Sequence, residues 1–151
     1  MKVLIIEDEQ PAAHKLIRLL EELDPQVEII EVIGSVEKAM NRLTANAAPE
    51  LIFMDIQLED GISFEIFENV QIKTPVIFTT AYDEYTLKAF KVNSVDYILK
   101  PVSLNDLKAA IEKFNTYHRQ KADYGRIESI ISQLQPKVKE RFLIKTGEHY
   151  R

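Results

Sequence analysis

Four polar clusters in this sequence are placed to do chemistry together: the acidic run Glu7-Asp8-Glu9, the lone acid Asp55, the pair Thr80-Ala81, and Lys100-Pro101. Each directly follows a short apolar run. If those runs are strands of one sheet, carboxylates, a hydroxyl and a lysine gather at one edge. Crowded carboxylates repel, and a hard divalent cation such as Mg²⁺ relieves the conflict because it takes a few carboxylate oxygens, a carbonyl and several waters. Phosphoryl transfer needs a nucleophile, a metal to neutralise the equatorial oxygens and a cation or donor for the rest. Asp55 is the best nucleophile candidate, since it alone of these acids follows what reads as a central buried strand. Glu7 and Asp8 form the pair expected of a metal cradle, Lys100 is a compact point cation, and Thr80 can bond a phosphoryl oxygen. The product would be an acyl phosphate. Taken singly, each feature is ordinary: a loop cap, a solvated acid run, a β-favouring Thr-Thr or a turn. Their joint occurrence at four run ends carries the inference.

The elements that must position these residues are legible from hydrophobic period. Short runs rich in Val, Ile and Phe predict strands at Val3 to Ile6, Val27 to Ile33, Leu51 to Met54, Val76 to Thr79 and Tyr97 to Leu99. Between them, apolar residues recur at helical spacing in Ala12 to Leu23, Val36 to Leu43, Ser63 to Val70 and Tyr85 to Val92, and Leu104 opens a longer helix through Leu107, Ile111 and Phe114. Alternating strands and helices predict an α/β fold, a doubly wound five-stranded parallel sheet with helices on both faces. In the flavodoxin-like order 2-1-3-4-5, the first and third strands are neighbours, which brings Glu7 and Asp8 beside Asp55 at the topological switch point.

After about residue 118 the character changes. Residues 119–140 read as a helical linker carrying the stripe Ile127, Ile130, Ile131 and Leu134, ended by Pro136. Residues 141–151 read as a strand running into a turn, the start of a second, truncated domain. The formal charge of −5 with no basic block argues against this stretch gripping a nucleic-acid backbone by itself. No apolar run approaches the roughly 20 residues that cross a bilayer, and no signal segment opens the chain. The absence of cysteine excludes disulfides and thiolate metal sites and fits a cytoplasmic protein.

The residues quoted above, with Phe53-Met54-Asp55 and Tyr97-Ile98-Leu99-Lys100-Pro101, resemble the receiver domains of bacterial response regulators over residues 1 to about 118. Thr80-Ala81-Tyr82-Asp83-Glu84-Tyr85, Lys88 to Asn93 and Asp96-Tyr97 are similar to the LytTR (LytR/AlgR) subfamily in particular. The resemblance implies Asp55 as phosphoacceptor for a sensor histidine kinase, Asp8 as a direct Mg²⁺ ligand, Glu7 acting mainly through water in place of the commoner Asp, and the Gln57 carbonyl as a further ligand. It implies that Thr80, Ala81 and Lys100 hold the phosphoryl group. It also implies that Thr80 and Tyr97 act as a switch, that Lys100-Pro101 is cis, and that phosphorylation leads to a homodimer. Residues 141–151 look like the opening of a LytTR DNA-binding domain, so DNA binding belongs to the parent protein. The chain itself is expected to catalyse only its own phosphorylation and dephosphorylation.

Rival chemistries fit less well. An aspartate-nucleophile phosphatase would place a second acid two residues after Asp55, where Gln57 stands. A calcium loop over Asp55 to Ile66 has its glycine one place late and Ile66 where a bidentate Glu belongs. A phosphorylation-independent interaction module has no use for intact Asp8, Asp55, Thr80 and Lys100. His14, His118 and His149 carry no evident chemistry.

Overall fold

The computed structural model describes residues 1–45, 47–82 and 94–134. Its first apolar run is strand β1 (Lys2–Ile6), in which alternation with period two sends side chains to opposite faces of a sheet. Helix α1 (Gln10–Leu23) opens on Pro11, which is tolerated where no helical N–H bond is required. It buries Ala13, Leu16 and Leu20. Strand β2 (Glu28–Ile33), helix α2 (Val36–Ala45) and strand β3 (Leu51–Asp55) follow. A two-residue hairpin, β4 (Gln57–Leu58) with β5 (Gly61–Ile62), precedes the short helix α3 (Phe64–Asn69). Strands β6 (Val76–Thr80) and β7 (Asp96–Leu99) complete the sheet, and α4 runs from Leu104 to Leu134.

The sheet has five parallel strands in the order β2-β1-β3-β6-β7. Once the inserted hairpin is set aside, this is the expected 2-1-3-4-5. The register aligns Asp55 with Thr79, and Thr80 with Leu99, so the strand ends finish near one level. On one face Leu4, Ile6, Met54 and Phe78 pack with Val36, Ala39, Phe64 and Ile66. There the Phe78 ring lies 5.4 Å from Phe64 and 5.9 Å from Phe67 between centroids, within the range of favourable tilted pairs. On the other face Val3, Ile5, Phe53 and Ile77 pack with Leu16, Leu20, Leu107 and Phe114. Every side chain of β3 and β6 is buried, as in a strand covered on both faces. The two outermost strands are more open: β2 carries Glu28 and Glu31 exposed along its edge, which discourages pairing with another strand.

The chain divides into two compact units, Met1–Phe114 and Asn115–Arg151, and the sheet lies wholly in the first. In the second, the described part is helical, and Ile127 and Ile130 are 49% and 53% exposed. The helix expected at Tyr85 to Val92 and the strand expected in residues 141–151 lie outside the described residues. Among the described residues, no helix is long and apolar enough to cross a membrane.

Candidate functional site

The carboxyl ends of β1, β3, β6 and β7 place the site. A bond from the Glu7 N–H to the Ile33 carbonyl at 2.8 Å ties the residue after β1 to the end of β2. Glu7 and Asp55 are both only 6% exposed, and Asp8 is half-buried between solvent and sheet. One oxygen from each of Glu7, Asp8 and Asp55 falls within 4.8 Å of the others, a spacing that a single cation can bridge. Such a hard, all-oxygen donor set with three acids suits Mg²⁺.

Lys100 closes the arrangement. Its ammonium donates to Glu7 Oε1 and, at 3.0 Å, to Asp55 Oδ2. Burial pushes the Glu7 carboxyl from its ordinary 4.5 up to about 7; the nearby Asp55 charge adds to this, while the Lys100 hydrogen bond and the Glu9 N–H oppose it. For Lys100, burial alone would disfavour the ammonium, but the bonds and charges of Glu7 and Asp55 outweigh it and hold the pKa above 10.5. The lysine therefore stays charged between two acids, one of which is poised to take a proton near neutrality. The peptide bond Lys100-Pro101 is cis, as the resemblance implied.

Thr80 ends β6 fully buried, and its Oγ1 accepts the Tyr82 N–H at 3.4 Å. Its carbonyl accepts the Lys100 N–H at 2.7 Å, so two of the three expected phosphoryl-binding residues are joined through the backbone. Ala81 follows, exposed. Tyr97 is half-buried against the core face that holds Phe78, and its hydroxyl donates to the Tyr82 carbonyl. Thr80 and Tyr97 thus meet through one residue, Tyr82. Gln57 is exposed at the opening of the β4–β5 hairpin, two places after Asp55. Beside the acids, a crevice of about 250 Å³ runs between α1 and the Lys100–Val102 turn, walled mainly by Pro11, Ala12, Leu16, Pro101 and Val102 with Lys15 at hand.

Sequence reasoning passed over Asp60, whose carboxylate accepts the N–H groups of Val36 and Glu37 at 2.7 and 3.1 Å. An Asp before a Gly signals only a turn. Nothing local reveals that its partner is a helix far upstream.

A five-stranded parallel sheet of this order, with acids at the ends of β1 and β3 and a lysine after β7, defines the flavodoxin-like class of doubly wound α/β folds. Residues 3–112 match the response regulator receiver domain, and the chain belongs to that family. Sensory transduction protein LytT of Bacillus anthracis is 41% identical over 124 residues, 80% of this chain and 48% of that protein. LytT of Enterococcus faecalis is 41% identical over 116 residues, 75% of this chain and 47% of that protein. The chain spans about half the length of the curated relatives it matches. Among solved structures, the response regulatory domain of protein mrkE from Klebsiella pneumoniae is similar with a TM-score of 0.71 at 30% identity, covering 80% of this chain and 99% of that one.

Proposed function

We propose that this receiver domain accepts a phosphoryl group on Asp55 from a sensor histidine kinase and thereby switches a cytoplasmic LytTR-type transcription regulator. The observation that carries the reading is the meeting of Glu7, Asp8 and Asp55 with Lys100 bonded to two of them. In the forward step an Asp55 carboxylate oxygen attacks phosphorus, an O–P bond forms, the P–N bond to the donor imidazole breaks, and its electron pair returns to the ring nitrogen. Lys100 and the Thr80 hydroxyl, with the Ala81 N–H, are the donors for the transferred oxygens. Bound by Asp8, Asp55 and the Gln57 carbonyl, with Glu7 acting through water, Mg²⁺ would supply charge neutralisation for that transfer. Attack of water on the acyl phosphate returns Asp55 and inorganic phosphate. The apolar crevice beside the acids gives a protein donor a place to seat.

The signal would leave through Tyr82. A phosphoryl group carries about −1.5 to −2 charge, and recruiting the Thr80 hydroxyl to it would compete with the Tyr82 N–H. That N–H belongs to the residue whose carbonyl holds the Tyr97 hydroxyl, so movement at Thr80 is passed to Tyr97 and the surface around β7. Dimerisation through the surface from Tyr85 to Phe114 is the proposed outcome, supported by the exposed Leu99 on the last strand of the sheet. Residues 1–118 are the receiver, 119–140 a helical linker and 141–151 the start of a LytTR domain, through which the parent protein binds DNA; relatives of which the matched region is only about half support that division.

Intact mass after incubation with a small phosphodonor tests the reading. Wild-type protein gains one phosphoryl group only with Mg²⁺, and Asp55→Asn gains none; no gain under any donor would favour a phosphorylation-independent module. Sustained phosphate release from a phosphomonoester would favour the phosphatase rival instead.

A further inference from the structure

The start of α2 is capped from two directions. An α-helix leaves its first four N–H groups without helical partners. Here the Ser35 carbonyl accepts the Ala39 N–H as the first bond of the helical ladder, and the Ser35 hydroxyl accepts the Lys38 N–H, both at 3.1 Å. The N–H groups of Val36 and Glu37 point across to the carboxylate of Asp60, one on each oxygen. Asp60 occupies the turn of the β4–β5 hairpin, beside Gly61, whose φ of +154° is a backbone conformation that favours glycine. The Val36 N–H, in the positive field of the helix terminus, holds the Asp60 carboxyl below its ordinary range, so it remains an anion near neutral pH.

The same loop leans on the site from its other side. A Cβ added to Gly34 would lie 3.5 Å from the Asp8 Cα, so the β2–α2 loop is in contact with the backbone that carries Asp8. At the far end of the hairpin the Ser63 N–H bonds the Ile56 carbonyl at 2.7 Å, tying it back to the residue after Asp55. The loop from Gly34 to Glu37 therefore bridges Asp8 and the hairpin that opens on Gln57.

We infer that Asp60 is a positioning residue for the metal cradle: by clamping the hairpin to α2, it fixes the Gln57 carbonyl relative to Asp8 and Asp55. This rests on the phosphoacceptor reading above, in which those groups hold Mg²⁺. Groups that orient metal ligands without touching the metal cost about 10–100-fold in affinity when removed. Asp60→Ala should weaken Mg²⁺ binding by about tenfold and raise the Mg²⁺ concentration needed for half-maximal phosphorylation equally, with the rate at saturating Mg²⁺ much less changed. Asp60→Asn keeps one acceptor oxygen and falls in between.

Ser35→Ala is the control, because it removes a side-chain cap from the same helix end without touching the hairpin. The measurements are Mg²⁺ titration calorimetry on each variant, thermal melts, and phosphorylation by intact mass. A loss of Mg²⁺ affinity in the Asp60 variants that Ser35→Ala does not share, at a similar loss of melting temperature, supports the assignment. Equal affinity in wild type, Asp60→Ala and Asp60→Asn, or an equal loss in Ser35→Ala, overturns it. A wild-type chain that neither binds Mg²⁺ nor takes up phosphoryl groups overturns the underlying reading as well. Should Asp60→Ala fail to fold, Asp60→Asn decides alone.

Discussion

At the scale of single residues, the site is a contest for one lysine and one proton. Glu7 keeps a proton in the folded, metal-free protein up to about pH 7, whereas an unfolded chain loses it near 4.5. Between those values the native state binds more protons, so stability from this group falls as pH rises, and the loss is complete above about 7. Glu7→Gln should flatten that slope; melts in chelator between about pH 5 and 8 check it, and an equally steep profile in the variant would sink the assignment. A metal ion must displace the same proton, so Mg²⁺ should bind more weakly at about pH 6 than at about pH 8. Calorimetric titration at both values reads this directly, and a pH-independent affinity would argue against Glu7 in the cradle. The gathering of Glu7, Asp8, Asp55, Thr80 and Lys100 was legible because each stands at or just past the end of an apolar run, where strand geometry dictates a shared edge. Asp60 was not, because its role depends on a helix terminus 24 positions away in sequence.

At the scale of elements, period carried most of the information. The alternation of Val3 and Ile5 against Leu4 and Ile6 sorts onto the two faces of β1 as a two-residue repeat must. Phe53 is fully buried in the central strand β3, and Phe53→Ala should cost about 3–5 kcal/mol by chemical denaturation; a cost below about 1 kcal/mol would mean that the two-faced core is misread. The β4–β5 hairpin was illegible, since two-residue strands offer no period. Its signature is Gly61, where a Cβ would meet positive φ and lie 3.3 Å from the Glu65 carboxylate. Gly61→Ala should therefore cost on the order of 1–3 kcal/mol, measured by the same unfolding titrations, and a neutral outcome would show that the turn relaxes freely. Boundaries shifted by a residue or two, as with β3 reaching Asp55 and β7 beginning at Asp96, because the hydrogen-bond ladder extends beyond the apolar run into the polar residues that flank it.

At the scale of the whole molecule, family membership and sheet order were readable from the spread of motifs, while the use made of the surface was not. Phosphorylated protein is expected to double in mass by light scattering as dimers form, with Asp55→Asn remaining monomeric under the same donor; an unchanged monomer after full phosphorylation would remove dimerisation from the switch. The sheet order has a further outcome for biosynthesis. Strand β1 is made before the other strands of the sheet but lies inside it, between β2 and β3. At about 5–20 residues per second, the ribosome needs several seconds to deliver Leu51 after Ile6, and until then the most apolar stretch of the amino terminus has only one flank covered. Nascent chains arrested before β3 should be cut readily by protease, and those extended past Phe114 should resist. The strand that anchors the acidic cradle is thus the one most in need of protection while the protein is being born.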